Sequence, residues 1–72
     1  MPMYLRLTVE LDHEDDGRWI AEVTDLPGVL SYGKTRALAV AAAEALALRV
    51  VADRLVHGEV PPEPLAVSFA VN

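Results

Sequence analysis

A chain of 72 residues has room for one domain, and a domain that short buries only about 60% of the surface its unfolded chain exposes. It has no cysteine, which excludes a disulfide framework and a thiolate metal site, and its net charge of −5 with basic residues scattered from Arg6 to Arg54 disfavours direct binding to nucleic acid. Hydrophobic residues make up 53% of the chain, more apolar material than a lone domain of this size readily hides, yet no apolar run approaches the about 20 residues of a membrane-spanning helix. The N-terminal MPMYLRLTVELD carries Arg6 and Glu10 and lacks the apolar core of a signal peptide. A soluble cytoplasmic protein is the expectation.

Residues 3–11, MYLRLTVEL, alternate with a period of two and predict a strand with Met3, Leu5, Leu7, Val9 and Leu11 on its buried face. DHEDDG follows and ends in Asp16-Gly17, a hairpin signal. RWIAEVT resumes strand character from Arg18. Leu26-Pro27-Gly28-Val29 fits a type II turn, with proline fixing the first central φ and glycine accepting the positive second one. Asp25 beside it is expected to brace the turn through a local hydrogen bond. VLSY predicts a short third strand closed by Gly33, and Thr35 is placed to cap a helix running from Arg36 to about His57, with Gly58 as its left-handed stop. PPEP at 61–64 bars further helix, and LAVSFAV alternates as a last strand. The class is α+β: a βββαβ order whose connections predict a four-stranded mixed sheet, ordered third, second, first, last, with one long helix on one face.

Within the helix, Leu38, Ala41, Ala45, Leu48, Ala52 and Leu55 recur at alternating steps of three and four and are expected to pack on the sheet. That leaves Leu46, Val50 and Val51 as apolar residues in surplus. A helix apolar on several sides is normally covered on several sides, so these three are assigned to the interface of a homodimer or homotetramer.

No residue set reads as catalytic. Asp12, Glu14, Asp15 and Asp16, with His13 among them, form the densest polar cluster, and a solvated hairpin tip accounts for them better than a metal site does. His57 suits the negative end of the helix dipole. SYGKT lacks the first glycine of a phosphate loop. Trp19 reads either as a packed aromatic or as an exposed anchor for a partner. No cofactor is expected.

The stretch DGRWIAEVTDLPGVLSYGKT, followed by an alanine-rich helix, resembles the HicB-like antitoxin family. Asp16, Gly17, Trp19, Ala21, Asp25, Leu26, Pro27, Gly28, Gly33 and Thr35 match the family pattern. Thr24 stands where the family commonly has proline, and Arg36 where it often has an acidic residue. The resemblance covers nearly the whole chain as a single HicB-like domain and implies a partial ribonuclease-H-like module that binds and silences a HicA-like, RNA-cleaving toxin without being a nuclease itself. Asp12, Glu14, Asp15, Asp16 and Trp19 are the partner-binding candidates. Longer members carry a C-terminal DNA-binding module, and none is expected here because the last predicted strand runs up to Asn72. The alternative reading is a stand-alone homo-oligomeric ligand-binding or adaptor domain without a toxin partner.

Overall fold

The computed structural model describes residues 2–72. Five elements follow one another: β1 (Met3–His13), β2 (Trp19–Val23), β3 (Leu30–Gly33), α1 (Arg36–Val56) and β4 (Leu65–Val71). The strands form one sheet in the order β3-β2-β1-β4, with β1 antiparallel to β2, β2 antiparallel to β3, and β4 parallel to β1. This is the α+β architecture that the alternation and the turn residues predict.

The connections follow the local chemistry. Val29 N donates to Leu26 O at 3.1 Å, and Gly28, at φ 80°, supplies the positive angle of the turn between β2 and β3. Thr35 Oγ1 accepts from Leu38 N at 3.1 Å and caps α1. At the other end Glu59 N donates to Arg54 O and Gly58 N to Leu55 O, the paired bonds of a Schellman motif, with Gly58 at φ 70°. The hairpin tip differs from the expectation. β1 runs on through Asp12 and His13, which pair with Ile20 and Trp19. Polar residues are tolerated there because the ladder, not burial, holds this end of the strand.

Asp25 also differs from its expected local role. Its Oδ2 accepts from Thr8 N, 17 residues away, at 2.6 Å. Thr24 N donates to Thr8 O beside it. The carboxylate thus extends the β1–β2 ladder by one bond at the point where β2 bends into its turn, and satisfies an amide that would otherwise lose its partner.

The main correction concerns the face of α1. The residues buried against the sheet are Ala39, Ala43, Ala47 and Val51, spaced by four. The expected stripe points outward: Leu38 is 57% exposed, Leu48 46% and Leu55 40%, and Ala41, Ala45 and Ala52 are exposed with them. Val51, assigned to an oligomer interface, is instead 5% exposed and belongs to the chain's own core, while Leu46 and Val50 pack against that core from its edge. The reason lies at Gly33. A Cβ built there would stand 2.4 Å from the backbone N of Ala39, so the helix begins in direct contact with the strand it has just left. Only small side chains fit an approach this close, and the alanine row meets Ala21 and Val23 of β2.

Gly33→Ala places that Cβ against helix backbone that cannot give way. The expected loss is ~1–3 kcal/mol, the usual range for overpacking, and with ~4–8 °C per kcal/mol for a small domain the melting temperature read by circular dichroism should fall clearly.

Candidate protein-docking face

The face of the sheet turned away from α1 takes the alternate residues of each strand. On β1 these include Arg6, Thr8, Glu10 and Asp12; on β2, Ile20 and Glu22; on β3, Leu30 and Tyr32. Register sets them side by side: Glu10 lies opposite Glu22, and Asp12, Ile20 and Tyr32 form a row across three strands. A shallow depression of about 300 Å³ is lined by Glu10, Leu11, Asp12, Glu14, Ile20 and Glu22. Four carboxylates therefore surround one isoleucine on an open face.

The hairpin tip is built rather than loose. Glu14 N donates to Arg18 O at 2.7 Å and Gly17 N to Glu14 O at 3.0 Å. Asp16 Oδ1 accepts from Arg18 N, and its Oδ2 lies 2.7 Å from Arg18 Nε. The bond from the Arg18 amide, aided by the guanidinium, holds the Asp16 carboxyl below the usual aspartate range. A folded-state pKa lowered in this way contributes stability that is present above the ordinary value of 3.8 and is lost as the pH falls through the depressed one. Arg18 in turn lies over the Tyr32 ring, 4.5 Å from its centroid, and His13 stacks on Trp19 at 4.4 Å with an interplanar angle of 16°.

These contacts sort the sequence candidates. Asp12 and Glu14 join the depression. Asp16 is committed to Arg18, and Asp15 stands at the tip, outside the depression. Trp19 is half-buried: it packs at the edge of the core and shows its other side to His13. Sequence reasoning missed Glu10, Glu22, Ile20 and Tyr32. Alternation along β1 turns Glu10 away from the buried face, but only the β1–β2 register shows that Glu10 and Glu22 meet. Among the described residues, no group of three or more His, Asp or Glu converges so as to hold a metal ion, and no helix is long and apolar enough to cross a membrane. Comparison with known protein families, curated proteins and solved structures gives no match.

Like charges directly opposite on neighbouring strands destabilise a sheet. Glu22→Gln should therefore raise the stability of the free chain, by ~0.2–1 kcal/mol, as measured by urea denaturation. A loss of stability would show that the Glu10–Glu22 pair is not strained.

Proposed function

We propose that this chain is a non-catalytic, HicB-like antitoxin module that occupies the RNA-binding surface of a small basic toxin of the HicA type. The observation that carries the reading is the acidic band Glu10, Asp12, Glu14 and Glu22 around Ile20 on the uncovered sheet face. An RNA-binding protein presents cations spaced for phosphates, and a rigid row of carboxylates can take the place of RNA on such a surface. Ile20 and Tyr32 supply the apolar contact that charges alone lack, and Arg18 holds Tyr32 from the side. The resemblance of residues 16–35 to the HicB-like pattern names the class of partner. The same net charge of −5 argues against contacts with DNA or RNA by this chain itself.

The reading is tested by co-expression with a small basic toxin of the HicA type, taken from a reading frame adjoining this one. The partner alone should arrest growth, and this chain should restore growth and co-purify with it. A chain that does neither contradicts the proposal. Glu10→Gln combined with Glu22→Gln should slow association and flatten its dependence on salt while leaving dissociation nearly unchanged, because charges at the rim of an interface act mainly on encounter. Stopped-flow mixing across a salt series reads both rates.

A further inference from the structure

β1 is longer than either of its neighbours. It pairs with β4 over residues 3–9 on one side and with β2 over residues 9–13 on the other. Among the described residues, the first half of its β2-side edge therefore has no strand beside it. The bonds at its ends show where the backbone groups of that half point. Met3 N donates to Pro64 O, and Val9 O accepts from Asn72 N, so the odd-numbered residues turn their N–H and C=O toward β4. Thr8 turns the other way. Its carbonyl accepts from Thr24 N, and its N–H donates to the Asp25 carboxylate. Arg6 and Tyr4 continue the same alternation. Their N–H and C=O groups face the space that β2 would enter if it did not turn away after Asp25, and no described residue bonds to them.

That space is a cleft of about 380 Å³. Leu5, Leu7, Leu26, Val51 and Val60 give it apolar walls, and Arg6 and Arg54 line it with them. Among the described residues neither arginine makes an ion pair. Asp25, the one carboxylate among the lining residues, is already engaged by Thr8 N. In a chain of net charge −5, this is a locally cationic place.

We infer that this edge is a docking slot for an extended, acidic segment of a partner protein. The segment adds to β1 as a short antiparallel strand in line with β2, with a carboxylate beside Arg6 and one apolar side chain in the cleft. The slot lies at the opposite end of β1 from the acidic band, so the inference goes beyond the toxin-binding reading and does not depend on it.

The open groups set the class of ligand. Two donors and two acceptors alternate along about 7 Å of strand, which is a demand that another peptide backbone answers. An unpaired edge is a template for a further strand, and strand addition is a common mode of peptide capture. Asp25 already shows the mode, since its carboxylate takes the first rung that β2 leaves open.

The pairing also sets a side-chain pattern. In an antiparallel ladder the residues opposite Arg6 and Tyr4 exchange both backbone bonds with them. The residue between, opposite Leu5, points to the helix side with Leu5 and enters the cleft. The residue opposite Arg6 shares its outer face, where opposite charges across a ladder stabilise. Read from its N-terminus, the segment is therefore acidic, apolar, then unrestricted. Arg54 adds a second cation on the helix side. A basic segment suits the acidic band and is repelled here, whereas an acidic one is repelled by the band. The two surfaces thus sort their partners by charge.

The probe is the peptide Ser-Thr-Glu-Leu-Thr-Ser, amidated at its C-terminus and labelled with fluorescein at its N-terminus. Read by anisotropy against the full chain, it should bind saturably in the sub-millimolar range, and the same peptide with Lys for Glu should not. N-methylation of its Glu, whose N–H faces the Arg6 carbonyl, should weaken binding about tenfold or more, because that acceptor loses its donor. N-methylation of its Leu, whose N–H faces away from β1, should leave binding nearly unchanged. Hydrogen exchange followed by nuclear magnetic resonance gives the position. With the probe bound, the Tyr4 and Arg6 amides should exchange about tenfold more slowly or slower still, while Leu5 and Leu7, already held by β4, should not change. Arg6→Glu should lose the Glu probe and gain the Lys probe. The methylated probes are read on the unaltered chain, so the test does not rest on the fold of a variant. No saturable binding, equal sensitivity to the two methyl groups, or protection appearing at Glu10 and Asp12 in place of Tyr4 and Arg6 would each overturn the inference.

Discussion

The close approach of α1 to β3 at Gly33 governs the arrangement of everything else. Because no side chain separates the strand from the helix that follows it, the helix is held over β3 and β2, and its contact residues must be small. The Thr35 cap and the Gly58 stop fix its length, not its position. Once the helix lies there, β4 falls at the margin of its cover, and β4 joins the fold through its ladder with β1 and through Val67 and Phe69, which pack against the core from its edge. A narrow, alanine-lined core over β3, β2 and the middle of β1, with β4 at its margin, is the result of that one contact.

The outer face of the sheet follows a different logic. Among the described residues no element packs on it, so its residues are free to be chosen for a partner. Four carboxylates sit where a folding argument alone would mix the signs, and Glu10 faces Glu22 across the ladder at a cost to the sheet. Side chains that oppose the stability of their own fold are those most readily assigned to recognition. The tip of the hairpin is then a support for this face: Asp16 fixes Arg18, and Arg18 fixes Tyr32.

Strand order, strand direction and the helix ends were legible in the sequence because each has a local cause: alternation, the proline-glycine turn, the threonine cap and the glycine stop. The face of the helix was not. Its leucine seam at steps of three and four and its alanine row at steps of four are both apolar stripes, and periodicity favours the larger side chains. The choice between them depends on Gly33, whose close approach exists only once strand and helix are assembled. Asp25 was misplaced for the same reason, since its partner Thr8 lies 17 residues away on another strand. At the candidate site, the acidic residues near the tip were visible as a cluster, but Glu10 and Glu22 became part of it only through the β1–β2 register.

The central claim is that the alanine row of α1, not its leucine seam, faces β2 and β3 of the same chain. Methyl-to-methyl nuclear Overhauser effects, recorded between selectively labelled side chains within one chain, test it directly. Ala39, Ala43 and Ala47 should give cross-peaks to Ala21 and Val23. Cross-peaks to Ala21 and Val23 from Leu38, Leu48 and Leu55 in place of the alanines would contradict the account.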